Sequence, residues 1–514
     1  HKPNNVNTDY LQKNIGRELI ISEPIINFLN TKHAILNNGN NFVQLNNTIS
    51  GGGNTNFSMM DSFTLRHMNN LYLFELRSYS LNNLHNAESL INIYKINENN
   101  NTLVYHDNYT ISGSFNCINW HGVNNEQINI ILGGGYVLGE YPKSYSSIAI
   151  PFNLNLMGFH ESEVIKIKSK SGVNQITITD LNNDYSFEII FAQETGSIKI
   201  LRYIEGQYVD CTKQYGLDSY VGNWNSLAVG DLNNDGFMDL IAGNTGVNNK
   251  YNAYSKHNLK LYSVKNGEQL DLYRTYRNSS DVDETVEGLS YLSKINPFLS
   301  VVFENNEMFF NSNFNQIFSN KIMNSVSFTE LETCLFINKN CVFEKSELPK
   351  SANFYPVYGI HIVDINLDGF LDVFMCQNSY GAKGENEVHN NLPVKFYQNY
   401  DGSLISSSEI NGDIQKGESH ARTISTFDFN EDCKPDILVG NIKGAYHLYS
   451  NASEKNGIKI NLIGNDINLI GSKVMIEYSN GKLGPASEFS SKTEYRVQRG
   501  RSMFFGLRNE RRGA

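Results

Sequence analysis

The chain has 514 residues, 18% of them charged, and a net charge of −11, which excludes a protein that binds nucleic acid by neutralising phosphates. Asparagine fills about one position in seven and there are only 10 prolines, a composition that suits neither long helices and coiled coils nor collagen-like stalks. Abundant Asn and Gly beside 29 Tyr and 29 Phe predict short strands joined by turns, although an AT-rich genome would also raise Asn.

The chain opens on His1 rather than Met, as a processed, trimmed or incomplete product would. No apolar run approaches the roughly 18 to 20 residues of a membrane-spanning helix. Six N-x-S/T sequons, at Asn46, Asn56, Asn100, Asn108, Asn278 and Asn451, are open to glycosylation in a cell that performs it. Asn-rich strands such as Leu71–Glu75 are expected to supply the first repeats of the fold. The stretch from His121 to Asn129, before Ile130-Ile-Leu-Gly-Gly134, keeps the register of a loop that recurs four times further on but lacks its acids.

Those four loops are Asp180-Leu-Asn-Asn-Asp-Tyr-Ser-Phe-Glu188, Asp231-Leu-Asn-Asn-Asp-Gly-Phe-Met-Asp239, Asp364-Ile-Asn-Leu-Asp-Gly-Phe-Leu-Asp372 and Asp428-Phe-Asn-Glu-Asp-Cys-Lys-Pro-Asp436. Each puts side-chain oxygens at positions one, three, five and nine, and calcium takes about six to eight oxygens in a flexible shell. The expected ligands are therefore Asp231, Asn233, Asp235 and Asp239; Asp364, Asn366, Asp368 and Asp372; Asp428, Asn430, Asp432 and Asp436; and Asp180, Asn182, Asp184 and Glu188. Position seven adds a main-chain carbonyl, from Phe237, Phe370, Lys434 and Ser186 respectively. Gly at position six permits the bend. Only the Asp231 and Asp364 copies have it; Cys433 and Tyr185 stand there in the other two. No copy has the Glu at position twelve of an EF-hand, and apolar quartets such as Leu240-Ile-Ala-Gly243 and Val373-Phe-Met-Cys376 flank the loops as strands.

The loops recur about 50, 130 and 65 residues apart. This is a blade-sized period, with one or more unmarked blades expected between the second and third copies. The fold expected is all-β: a β-propeller of about seven blades between Thr31 and Ser450. Val286 to Leu299 reads as a short helical insertion. Cys334 and Cys341 are placed either to close a hairpin disulfide or to stay as buried thiols, and no cysteine spacing suits structural zinc.

The loops resemble the FG-GAP/VCBS repeats of integrin-α-type propellers. The likeness is closer to the secreted propellers that end in an ASPIC/UnbV module, the cartilage acidic protein-like family. Gly133-Gly-Gly-Tyr-Val-Leu-Gly-Glu-Tyr-Pro142, Trp224-Asn-Ser226 through Gly243-Asn-Thr-Gly246 to Tyr251, and Pro356-Val-Tyr-Gly-Ile360 carry it. Towards the end, Asn468 to Ile476, Asn480-Gly-Lys482 and Phe504-Phe-Gly-Leu507 follow the order of the module, with departures at Thr493 to Gln498 and Arg508. The resemblance implies an N-terminal segment at 1–30, a propeller at 31–452 and a small β-sandwich-like module at 453–514.

Nucleophile elbows, HExxH, Walker A and dinucleotide fingerprints are absent from the sequence. His361 reads as a satisfied rim histidine, and His420-Ala-Arg422 as a strand edge. The expectation is a secreted, extracellular or cell-surface, non-catalytic protein that holds two to four structural Ca2+ ions. It would act in adhesion or assembly with an extracellular protein or glycan, including assembly into a larger structure. The alternatives are a surface module that binds a glycan or small ligand and a calcium-dependent polysaccharide-active enzyme.

Overall fold

In the computed structural model the described residues are the strand segments 4–6, 18–21, 34–37 and 42–44 and most of 57–507, with the longest breaks at 249–258, 379–393, 408–420 and 493–501. Antiparallel sheets dominate them. A three-stranded sheet, Glu18–Ile21, Ala34–Asn37 and Phe42–Gln44, comes first. The second blade follows in Phe57–His67, Asn70–Tyr79, Glu88–Asn97 and Thr102–Ser112, and the third in Phe115–Asn124, Gln127–Gly134, Ser147–Asn153 and Ile165–Ile167. The fourth holds Val173–Thr179, Glu188–Gln193, Lys199–Ile204 and Gln207–Asp210. The fifth pairs Ser226–Gly230, Asp239–Gly243, Cys334–Lys339 and Val342–Ser346, and the sixth Val357–Val363, Asp372–Gln377, Lys395–Tyr400 and Ser403–Ser406. The seventh takes Ala421–Phe427, Asp436–Asn441 and His447–Ser450 from late in the chain and Asn4–Val6 from its beginning.

The leading strand of each sheet packs against that of the next, from the first blade to the seventh. The core is accordingly a series of clusters, each shared by two neighbours. Ile189 and Phe191 face the third blade with Ile131 and Ala149, whereas Ile190 and Ala192 face the fifth with Leu227 and Leu240. Ala228 and Ile241 then meet Ile360 and Val373, and Phe374 and Phe396 meet Ile424 and Val439. A strand covered on both faces loses the need for polar alternation, so segments such as Glu188-Ile-Ile-Phe-Ala-Gln193 are buried throughout.

The long gap between the second and third loops has another cause than the one expected. Among the described residues it holds no unmarked blade, and the leading strands Ser226–Gly230 and Val357–Val363 pack together directly. The chain leaves the fifth blade after Asp239–Gly243 and builds a separate sheet from Lys260–Asn266, Gln269–Arg277, Asp283–Thr285 and Ile322–Ser327, with four short helices between Leu289 and Phe318. This insertion has its own core of Tyr262, Leu292, Leu299, Phe309 and Phe314. Only then do Cys334–Lys339 and Val342–Ser346 complete the blade. The helical stretch expected at Val286 to Leu299 begins at Leu289 and runs on into three further helices.

The disulfide alternative is also settled. All six cysteines are free thiols. Cys334 starts a strand whose hairpin turn holds Cys341, so about five residues of extended chain, roughly 16 Å, separate them.

Asn4, Asn5 and Val6 pair with Ser450, Tyr449 and Leu448. The stretch read as an N-terminal segment thus supplies the outer strand of the last blade, beside strands from residues 421–450. Deleting residues 1–7 should lower the melting temperature by about 2–4 °C for each kcal/mol lost and increase aggregation at the opened edge. An unchanged melting curve would show that this strand does not hold the seventh blade together.

Candidate metal loops

Each of the four acidic loops joins the first strand of its blade to the second. The position-one carboxylate organises the turn by accepting main-chain N–H groups from positions five and six. In the second loop Asp235 N and Gly236 N each donate to Asp231 at 3.0 Å; in the third, Asp368 N and Gly369 N donate to Asp364 at 3.0 and 2.8 Å. Asp184 N and Tyr185 N do the same at Asp180, and Asp432 N and Cys433 N at Asp428. Positions four and six are left-handed in every copy, with φ between 57° and 60° at Asn183, Asn234, Leu367 and Glu431. Gly236 and Gly369 take that conformation at position six without strain. Tyr185 at φ 64° and Cys433 at φ 63° take it at a cost. The loops are also linked: Asn183 Nδ2 donates to the Gly236 carbonyl at 3.2 Å, and Asn234 Nδ2 to the Gly369 carbonyl at 3.0 Å.

Position nine is fully buried. Asp239 accepts from Leu232 N at 2.9 Å and Asn338 N at 2.8 Å; Asp372 accepts from Asn399 N at 2.9 Å; Asp436 accepts from Phe429 N and Asn451 N, both at 2.7 Å. These three asparagines form a recurring clamp. Asn338 Nδ2 donates to the carbonyls of Leu181 and Met238, Asn399 Nδ2 to those of Leu232 and Leu371, and Asn451 Nδ2 to those of Ile365 and Pro435. Each therefore holds the end of its own loop and the start of the previous blade's loop. Sequence reasoning missed them. The available signal was an aromatic-x-Asn triplet, Phe336-Ile-Asn338, Tyr397-Gln-Asn399 and Tyr449-Ser-Asn451.

Burial pushes Asp231 up to about 6 and Asp239 to about 7; main-chain N–H groups partly offset this, and the neighbouring loop carboxylates add to it. Asp364 and Asp436 rise to about 7, and Asp372 well above the usual range, again chiefly through burial. Asp372 Oδ2 is buried without a hydrogen bond of ordinary geometry. In the Asp231, Asp364 and Asp428 loops buried carboxylates thus stand beside further carboxylates, a repulsion that a cation would relieve.

The copies differ in what balances them. Arg202 pairs with Asp184 and, at 3.0 Å, with Glu188, while Lys473 lies 3.8 Å from Asp180 and donates to its main-chain carbonyl at 2.9 Å. Lys459 lies 3.3 Å from Asp428, and Lys434 3.3 Å from Asp432. Among the described residues no Lys or Arg pairs with Asp231, Asp235, Asp239, Asp364, Asp368 or Asp372. The copy in the third blade, which has no acid at positions one, three, five or nine, is filled by protein: Tyr208 Oη meets His121 Nε2 at 3.0 Å and accepts from Asn129 Nδ2 at 2.9 Å. Burial lowers His121 to about 4, so it is neutral.

Among the described residues no three His, Cys, Asp or Glu side chains are arranged as a group able to hold a metal. The ligand set expected here mixes carboxylates with Asn oxygens and a carbonyl. His361 is buried, with Nε2 2.8 Å from Thr426 Oγ1. His420 lies outside the described residues, and the Arg422 guanidinium sits 3.1 Å over the Tyr358 ring.

Residues 180–242, spanning the first two loops, match the FG-GAP-like repeat family. The fold is an all-β propeller, and residues 180–242 within it carry an FG-GAP-like repeat. Cartilage acidic protein 1 of Xenopus tropicalis is 25% identical over 287 residues, covering 53% of this chain and 41% of that protein. Its Homo sapiens counterpart is 22% identical over 287 residues, covering 53% and 40%. The match thus spans less than half the length of these relatives. Among solved structures, Bombyx mori GH32 beta-fructofuranosidase BmSUC1 gives a TM-score of 0.25 at 9% identity over 48% of this chain and 56% of its own. Saccharomyces cerevisiae Sqt1 gives 0.31 at 10% identity over 77% and 97%. At these scores neither likeness bears on function.

Asn399→Ala should cost roughly 1–3 kcal/mol, because two carbonyls and the Gly402 N–H lose a buried partner; chemical denaturation reads this directly. Asn451, a sequon residue used up as a clamp, should carry no glycan when the protein is made in glycosylating cells. Asn108, the other described sequon residue, is exposed and open to one, and peptide mass spectrometry separates the two.

Proposed function

We propose that the chain is a secreted, calcium-stabilised propeller that works as a non-catalytic scaffold in extracellular adhesion or assembly. The observation that carries this reading is the contrast among the four loops. Two have lysine or arginine partners of their own. The Asp231 and Asp364 loops keep the permissive glycine and leave their carboxylates without such a partner. Those two would hold Ca2+ through Asp231, Asn233, Asp235, Asp239 and the Phe237 carbonyl, and through Asp364, Asn366, Asp368, Asp372 and the Phe370 carbonyl.

The ion would supply charge neutralisation and a tie between two strands, with no part in bond making. In the Asp180 loop Arg202 and Lys473 already provide positive charge. In the Asp428 loop Lys459 and Lys434 provide it in part, so the propeller would carry two ions. The relatives named for cartilage support an extracellular setting. No helix among the described residues is long and apolar enough to cross a membrane. The strongly shifted carboxylates of the loops are consumed in holding turns together, which favours a scaffold over an enzyme.

The acid–base behaviour gives a test with a definite sign. Asp239, Asp364 and Asp436 have folded values near 7 against an ordinary 3.8. In chelator their protonated forms stabilise the fold at low pH, and this contribution is lost as pH rises from about 4 through about 7. The melting temperature in EGTA should therefore fall across that window, and millimolar Ca2+ should restore it at pH 7.5. Equal melting curves with EGTA and with Ca2+ at pH 7.5 would remove the calcium reading.

A further inference from the structure

The described residues 457–492 and 502–506 lie across the loop side of the propeller and touch every blade from the second to the seventh. Asp466 Oδ2 accepts from Arg66 N at 2.5 Å, and Ser491 Oγ donates to Asn119 Oδ1 at 2.6 Å. Glu488 accepts from Thr179 Oγ1 at 3.0 Å, and Lys459 pairs with Asp428. Lys492, itself buried, reaches past the loops to pair with buried Asp61 on the leading strand of the second blade.

The way this segment meets the position-one aspartates follows a pattern. Asp180 and Asp428, in the loops without glycine, each face a lysine of the segment, Lys473 and Lys459. Asp231 and Asp364, in the loops with glycine, receive a main-chain N–H instead: Ala486 N donates to Asp231 Oδ2 at 2.8 Å and Gly506 N to Asp364 Oδ2 at 3.0 Å. An N–H fixes the orientation of a carboxylate without cancelling its charge, so the negative charge stays available to a divalent ion. The approach at Gly506 is tight. A Cβ there would lie 2.4 Å from Asp364 Oδ2 and 2.2 Å from the Leu367 carbonyl carbon.

We propose that the two metal loops are composite sites, completed by the C-terminal segment, so that calcium binding and docking of that segment are coupled. This rests on the calcium reading above. The segment holds each position-one carboxylate in the orientation the ion uses, and the ion in turn relieves the repulsion that would otherwise turn those carboxylates away from their N–H donors. Linkage makes the effect reciprocal: undocking weakens calcium binding by the same factor by which calcium strengthens docking.

The test uses the full chain. Calcium titration by calorimetry on wild type, Lys492→Ala and Gly506→Ala should show affinity weakened about fivefold or more in both variants, although Lys492 touches no metal loop. Hydrogen exchange on the wild type should show residues 484–492 and 502–506 losing protection when Ca2+ is chelated, a readout that needs no variant to fold. Wild type that binds Ca2+ with unchanged affinity in both variants, and with unchanged protection on chelation, would overturn the coupling while leaving the calcium reading intact. Wild type that binds no Ca2+ would overturn the calcium reading and the coupling with it.

Discussion

A carboxylate buried at the end of each acidic loop is the constraint on which this architecture depends. Asp239, Asp372 and Asp436 sit at the start of a second strand with no exposure to water, and a buried acid must be hydrogen-bonded, protonated or matched by a cation. The fold answers first with backbone. N–H groups from the start of the loop and from a clamp asparagine on the third strand converge on the acid. Because the same asparagine also binds a carbonyl of the preceding blade, the local solution becomes the link between blades. Apolar clusters shared between neighbours supply the bulk of the packing, while these polar clamps set the register at which the blades meet.

Charge is the part that backbone donors leave over, and the four loops distribute it in two ways. Where glycine at position six has been replaced, the chain carries its own cations, from Arg202 on the neighbouring strand and from Lys459 and Lys473 in the C-terminal segment. Where glycine remains, only neutral donors approach. The segment that crosses this side of the propeller is thus matched loop by loop to the chemistry beneath it, and the buried Lys492–Asp61 pair fixes it at a point removed from all four loops.

Much of this was legible in the sequence, for reasons of range. Alternating oxygens at positions one, three, five and nine lie within nine residues, so the loops and their flanking strands could be read directly. The clamps could not. Asn338, Asn399 and Asn451 stand 99, 27 and 15 residues after the acids they hold, because an insertion or a long connection intervenes by a different amount each time. The same insertion made the 130-residue interval look like missing blades. Closure of the seventh blade joins residues 4–6 to 448–450, a pairing that no local pattern encodes. Asparagine, abundant from the outset, proves positional twice over: as the third residue of each acidic loop and as the clamp between blades.

The central claim is that two of the four loops, and not the others, take a cation. Native mass spectrometry of the intact chain after dialysis against buffered micromolar Ca2+ counts bound ions directly. Two ions, falling to one in Asp239→Asn and likewise to one in Asp372→Asn, is the stoichiometry this account predicts. No bound calcium, or four ions with the Asp180 and Asp428 loops filled despite their lysine and arginine partners, would contradict it.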